Sequence, residues 1–387
     1  MTACPSCFQQ IHPEKFAWVC VSPKCTGREI DPIAGRFLGY DHESGPVTTQ
    51  DRPPGSPNSW RPRPTVFCRS CGEPSAEACP TCHFPLMEDW RTFNVTTVAM
   101  SGARATGKSL YIAVTVKQME PMLAKMRSTI EPADSRTRDN YRTIYERPLF
   151  EQLGMMPPTA RSDTDGSNAR FPMIFSLGVL NGLRRILVIR DVAGEEMENV
   201  PENAPHLAFL RYADAVFFMF DPLAIDEVRK KLQDLVPHQI NVGGDPKIVL
   251  GNLPRIIGTG TPRMAIILSK FDALQTFRDV NDVELKRIMS NPGAAYMRDP
   301  SLEKGTYDED DGEMLSLEIE SVLHKLGADN FVFSLQNAQG GRPLQHRFFA
   351  VSVLGESPDG DAVSKYGISP YRIVDPIKWL LHSKGII

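Results

Sequence analysis

The sequence predicts an α/β fold, a mainly parallel sheet flanked by helices, preceded by two small cysteine-ligated modules. Three observations predict it. Unbroken apolar runs of strand length, such as Ala215-Val-Phe-Phe-Met-Phe220, alternate with helical stretches over residues 91–387, as parallel strands covered on both faces should. All 8 cysteines lie at or before Cys82. Between the two groups of cysteines, residues 51–64 carry prolines at 53, 54, 57, 62 and 64, too many fixed φ angles and missing donors for a helix or a central strand.

The first expected module is a zinc ribbon over residues 1–30, built on Cys4-Pro-Ser-Cys7 and Cys20-Val-Ser-Pro-Lys-Cys25. A Pro-rich linker over 31–65 follows, then a second ribbon over 66–90 with Cys68-Arg-Ser-Cys71 and Cys79-Pro-Thr-Cys82. Two thiolates at Cys-x-x-Cys spacing reach one tetrahedral ion, and two such corners close a structural zinc site. The expectation is therefore two Zn2+, one held by Cys4, Cys7, Cys20 and Cys25, the other by Cys68, Cys71, Cys79 and Cys82. Reduced thiols and a redox pair are the alternatives, and His83 or His12 is a conceivable replacement ligand. A cluster of this kind suits a reducing compartment better than a secreted disulfide fold.

The α/β region opens with a strand expected at Phe93–Met100, followed at once by Gly102-Ala-Arg-Ala-Thr-Gly107-Lys108-Ser109 and a helical stretch. This is the G-x-x-x-x-G-K-S pattern in the setting its mechanism needs. Glycines let the loop wrap a phosphate, loop amides point inward, and the helix N-terminus adds positive charge. The nucleotide-binding set is Gly102, Ala103, Arg104, Ala105, Thr106, Gly107, Lys108, Ser109 and Leu110; Lys108 reaches the β- and γ-phosphates, and Ser109 holds Mg2+. These features predict a P-loop NTPase fold.

Further strands are expected at Phe171–Leu177, Arg185–Ile189, Ala215–Phe220, Met264–Leu268 and Phe348–Val353. Helices are expected at Ala224–Leu235, Val283–Met289, Glu313–Leu326 and Pro376–His382. Residues 131–170 and 237–261 read as long irregular segments, and the acidic run Asp308-Glu-Asp-Asp311 as a solvated loop. Three strand ends carry chemistry. Asp191-Val-Ala-Gly194 offers a carboxylate for a Mg2+ shell and a glycine amide for a γ-phosphate. Ser269-Lys270-Phe271-Asp272 follows another buried strand, and Ser352-Val353 ends the last one.

With four motifs in this order, residues 93–387 of the domain expected over 91–387 resemble a Ras-like, translation-factor-related (TRAFAC) P-loop GTPase. The phrase Phe349-Ala-Val-Ser-Val-Leu-Gly355 and the tail Arg372-Ile-Val-Asp-Pro-Ile-Lys-Trp-Leu-Leu381 are most similar to the bacterial double-GTPase type. The resemblance implies GTP or GDP with Mg2+ as ligands, Asp272 reading the base, Lys270 covering it, and a partner GTPase or activating protein in a multi-component system. It also implies departures from the family pattern: Ser269 stands for the usual Asn, and Glu195 for the water-positioning Gln. Glu195 places negative charge near the γ-phosphate, so slow hydrolysis is expected, with Lys108, Glu195 and Thr159 as the catalytic set. Thr164 is the second candidate for the first switch, and Arg161 lies nearby.

Composition narrows the partners. The 387 residues amount to roughly two to three domains and carry 43 basic against 47 acidic side chains, a net charge of −4. That balance gives no support to nucleic-acid binding by the ribbons and favours a protein partner. No apolar run approaches the roughly 18 residues of a membrane span. The opening Met1-Thr-Ala-Cys-Pro-Ser-Cys7 has neither a basic nor an apolar leader segment, so a cytoplasmic protein is expected. An ATPase with nucleic-acid-binding ribbons, or a hydrolysis-poor adaptor, is the alternative function.

Overall fold

The computed structural model describes residues 2–57, 59–154, 171–232, 243–275, 283–336, 345–355 and 367–387. The N-terminal region holds strands β1 (Lys15–Val19), β2 (Val47–Asp51) and β3 (Ala76–Ala78) with helix α1 (Pro32–Leu38) between the first two. β1 lies centrally and pairs antiparallel with both β2 and β3. The expected linker is thus partly structured. Asp31 caps α1 by accepting from the amides of Ile33 and Ala34, with Pro32 at the first helical position, a strong start signal.

The main sheet contains β4 (Asn94–Gly102), β5 (Glu131–Pro132), β6 (Met173–Leu180), β7 (Leu183–Arg190), β8 (Ala215–Phe220), β9 (Arg263–Leu268) and β10 (His346–Ala350). Its spatial order is β10-β9-β8-β4-β7-β6-β5. Pairs from β10 through β7 are parallel, whereas β6 runs antiparallel to β7 and β5 to β6. Alternation along β8 divides the core: Val216, Phe218 and Phe220 face one apolar layer, and Ala215, Phe217 and Met219 face the other. Both faces are covered, which is why β8 reads as an unbroken apolar run.

The covering helices include α2 (Lys108–Ala124), the short α3 (Gly194–Glu198), α4 (Pro246–Ile257), α5 (Glu309–Lys325) and α6 (Asp375–Ser383). Helix α4 falls in a segment that the sequence reads as irregular. Gly251 and Pro254 inside it and the glycines that flank it suggest a loop, but Asp245 caps the Pro246 turn and Val249, Leu250, Leu253 and Ile257 bury one stripe, and tertiary packing decides the outcome. The segment after β5 is likewise helical over Ser135–Asn140 and Tyr141–Glu151. The acidic run is not a solvated loop either. Asp308 caps α5 through the Asp311 amide, while Glu309, Asp310 and Asp311 occupy its first turn, where the helix dipole favours anions. Asp311 is buried and ion-paired with Arg372 and Arg298. Among the described residues, no helix is long and apolar enough to cross a membrane.

Candidate nucleotide and metal sites

The eight cysteines form two tetrads, but not the expected ones. Cys4, Cys7, Cys79 and Cys82 make an inner cluster; Cys20, Cys25, Cys68 and Cys71 make an outer one. Strand register is the reason. Antiparallel pairing of β1 with β3 sets Ala17 against Ala78 and Val19 against Ala76. The cysteines before β1 therefore meet those after β3, and those after β1 meet those before β3. Each tetrad takes thiols from both ends of the region, so it does not divide into ribbons over 1–30 and 66–90.

Both clusters fit a tetrahedral ion. With zinc–sulfur bonds of about 2.3 Å, the sulfur–sulfur edges of a tetrahedron are about 3.8 Å. Cys4 and Cys82 sulfurs lie 3.6 Å apart, Cys7 and Cys79 3.9 Å, Cys20 and Cys71 3.6 Å, and Cys25 and Cys68 3.7 Å. The amides of Ser6 and Thr81 donate to Cys4 and Cys79 sulfurs, each at 3.4 Å, a turn that suits thiolate. Burial pushes the Cys4 and Cys82 thiols up, whereas thiols donating from Cys4, Cys7 and Cys82 push Cys79 down. His83 is engaged elsewhere, its Nδ1 lying 2.8 Å from Asp31, and His12 Nδ1 accepts from the Glu14 amide.

The phosphate loop leaves the carboxyl end of β4 and enters α2. Gly102 has φ +139°, and a Cβ there would lie 2.2 Å from the Met219 carbonyl of the neighbouring strand, so the turn requires glycine. Gly107 caps α2 at φ +86°. Thr106 Oγ1 donates to the Ala103 carbonyl at 3.0 Å. Lys108 is buried, and its ammonium donates to the carbonyls of Gly102 and Ala103 at 3.0 and 3.1 Å. Burial pulls its pKa down, opposed by Asp191 and Glu198. Arg104 and Ala105 are exposed, and Leu110 is half-buried.

Asp191 follows β7 and meets this loop, with Ser109 Oγ donating to its Oδ2 at 3.4 Å. Helix α3 then begins at Gly194, where a Cβ would lie 2.4 Å from the Arg104 nitrogen and 2.6 Å from the Ala103 carbonyl carbon. Glu195 approaches the Arg104 guanidinium at 3.8 Å.

On the other side of β8, the ends of β9 and β10 supply the remaining residues. Ser352 Oγ donates to Asp272 Oδ1 at 2.6 Å and accepts from the Gly355 amide at 3.0 Å. Ser269 Oγ donates to the Phe220 carbonyl at 2.9 Å. Lys270, at φ +54°, pairs with the buried Asp221 at 2.6 Å, and Val353 is buried. The phosphate loop, the Asp191–Gly194 turn and the Ser269–Asp272 and Ser352 segments all leave the same carboxyl edge, where ligands of open α/β sheets bind. Thr159, Thr164 and Arg161 lie outside the described residues.

Residues 96–314 match the family model described as Double-GTPase 2. The chain belongs to the Double-GTPase 2 family. A Mycolicibacterium smegmatis (strain ATCC 700084 / mc(2)155) relative, named "Putative ESX-1 scaffolding and assembly protein SaeC", is 43% identical over 387 residues, 100% of both chains. Solved structures similar to the chain include bacterial selenocysteine-specific elongation factor EF-Sec, 15% identical, with 74% of this chain and 29% of that one covered and a TM-score of 0.29. The S. cerevisiae Ski7 GTPase-like domain, bound to GDP and inorganic phosphate, is 11% identical, with coverage of 77% and 52% and a TM-score of 0.34. This chain therefore spans well under two thirds of either solved chain.

Three features of this Double-GTPase 2 chain escape its motifs. Glu198 accepts from the Arg104 amide and Nε at 3.0 and 3.1 Å; its only sequence signal is a position three residues beyond Glu195 on a short helix. Asp221 directly follows the apolar run of β8, a strand-end carboxylate that could have been marked for that reason. Arg190, the last residue of β7, gives no signal at all. It is buried and donates to the Ser6 carbonyl.

Proposed function

We propose that this chain is a magnesium-dependent GTP-binding protein that hydrolyses GTP slowly and acts as a nucleotide-controlled switch in a multi-component bacterial assembly. The observation that carries the reading is the convergence at one sheet edge of the Lys108 loop, the Ser109–Asp191 pair and the Asp272 carboxylate braced by Ser352. An Asp held this way can accept two N–H donors from guanine, whereas adenine presents no matching pair. Lys108 and the loop amides would compensate charge on the transferred phosphoryl group. Ser109 and Asp191 would hold Mg2+, which neutralises phosphate charge when bound. The Asp191–Gly194 turn, packed directly on the loop, is the segment that responds to the γ-phosphate.

In this reading residues 91–387 form the nucleotide-binding unit, and the cysteine region binds two Zn2+ and makes the partner contact. The relative's name, with its ESX-1 scaffolding and assembly, supports a protein partner; the chain would act in the cytoplasm. Calorimetric titration of the full chain with GTP, GDP and ATP in magnesium buffer tests the proposal. Micromolar or tighter binding of GTP, lost in Lys108→Ala, is expected. Absence of heat with every purine nucleotide overturns it, and ATP binding more tightly than GTP overturns the base assignment.

A second reading is a hydrolysis-poor adaptor. The contact favouring it is Arg104, which engages Glu198 and stands near Glu195, so the segment after Gly194 is tied to the phosphate loop by charge. Single-turnover phosphate release separates the two. A Glu195→Gln chain that hydrolyses faster supports the slow enzyme; unchanged, undetectable release in both supports the adaptor.

A further inference from the structure

The two cysteine tetrads are not equivalent. The outer one forms a small cluster of its own, and Cys71 is only half-buried. The inner one is continuous with the core of the α/β unit: Cys4, Cys7, Cys79 and Cys82 pack in the same apolar layer as Val188, Val192 and Met197. Trp90 Nε1 ties it down through the Ala3 carbonyl at 3.0 Å, and Phe8 meets Phe209 edge-on at 5.2 Å.

Into this junction reaches Arg190. It is 8% exposed, donates to the Ser6 carbonyl inside the Cys4–Cys7 turn at 2.5 Å, and lies 3.8 Å over the Phe209 ring. Four thiolates around one Zn2+ carry a net charge of about −2, which a buried site tolerates poorly without a countercharge. Arg190 is a cation next to that charge, and the following residue is Asp191. A guanidinium clamped by a carbonyl and an aromatic face has little freedom, so the peptide unit joining it to Asp191 is held as well.

We propose that Arg190 is the countercharge of the inner tetrathiolate and the strut through which that metal site positions Asp191. The inner zinc and the magnesium nucleotide are then energetically coupled, and the outer zinc is not. The positioning half rests on the nucleotide reading above; the countercharge half does not. Coupling is reciprocal, so bound GTP with Mg2+ slows release of the inner zinc.

The test uses the full chain and reads zinc release into a chromogenic chelator, with and without GTP and Mg2+. It also reads the Mg2+ concentration that half-saturates binding of a fluorescent GTP analogue. The expected result is two release phases in the wild type, with only the slower one retarded by GTP, at least threefold. Arg190→Met speeds that phase at least tenfold and raises the Mg2+ requirement several-fold; Arg190→Lys, which keeps the charge, recovers most of the zinc retention. Cys68→Ser removes the outer zinc and leaves the Mg2+ requirement unchanged. Should Arg190→Met not fold, the GTP effect on wild-type zinc release carries the test alone. Zinc release indifferent to GTP in a wild type that binds the nucleotide overturns the positioning half, and an Arg190→Met chain with wild-type zinc retention and Mg2+ requirement overturns the whole proposal. A wild type that binds no nucleotide sinks the nucleotide reading and the positioning half together, while zinc retention in Arg190→Met still decides the countercharge half.

Discussion

Gly194→Ala adds a single methyl group at the point where the segment after Asp191 touches the phosphate loop. That Cβ would stand 2.4 Å from the Arg104 nitrogen, 2.6 Å from the Ala103 carbonyl carbon and 2.8 Å from the Arg104 Cα. All three are backbone atoms, so no side chain can swing aside. Ordinary contact begins near 3.4 Å, and the two segments must part by about 1 Å. Asp191 lies three residues earlier and its bond to Ser109 is already 3.4 Å long, so the shift separates the two residues proposed to hold Mg2+. Overpacking of this kind costs about 1–3 kcal/mol, which corresponds to about 5- to 150-fold in affinity if it falls on binding. Calorimetry with GTP and GDP at saturating magnesium, alongside a thermal melt, measures the cost. GTP affinity should fall within that range and GDP affinity by less, because Gly194 is proposed to face the γ-phosphate. A Gly194→Ala chain that melts at the wild-type temperature and binds GTP within twofold of wild type would refute the reasoning.

Asp272→Asn replaces two acceptors with one acceptor and an amide donor. GTP binding should weaken by about 2–3 kcal/mol, roughly 30- to 150-fold, while xanthosine triphosphate, which presents a carbonyl where guanine presents an amine, binds better than it does to the wild type; competition titration reads both. Ser352→Ala leaves the Asp272 carboxylate without its 2.6 Å brace, and GTP affinity should drop by about 1 kcal/mol with no change in zinc content. Arg372 is 1% exposed and bonds Asp375, Asp311 and the carbonyls of Ala295 and Arg298. Arg372→Ala strands the buried Asp375, leaves Asp311 with Arg298 alone, and should cost about 3–5 kcal/mol in a denaturant titration; a cost under about 1 kcal/mol would show that the network adds little.

The family, the phosphate loop and the parallel strands were legible in the sequence because each rests on local chemistry. A loop that wraps phosphate needs glycines at fixed spacing, Lys108 and Ser109 follow at once, and a strand buried on both faces must be apolar throughout, as β8 is. The Ser352–Asp272 contact joins residues that the motif order had already named. Helix α4 was obscured by Pro254 and by glycines that read as breakers, and the acidic start of α5 by a composition that looks solvated when its capping geometry is ignored.

Residue types and local spacing thus determined that eight thiols suit two tetrahedral ions and that a G-x-x-x-x-G-K-S loop sits at the head of the α/β unit. Which four thiols share an ion was decided only by the antiparallel register of β1 with β3, which crosses the two ends of the region. Tertiary packing alone also brought Arg190 to the Ser6 carbonyl and Glu198 to Arg104. Those contacts join residues 184 and 94 positions apart, and no spacing rule spans such a distance, because it is the path of the folded chain that brings them together.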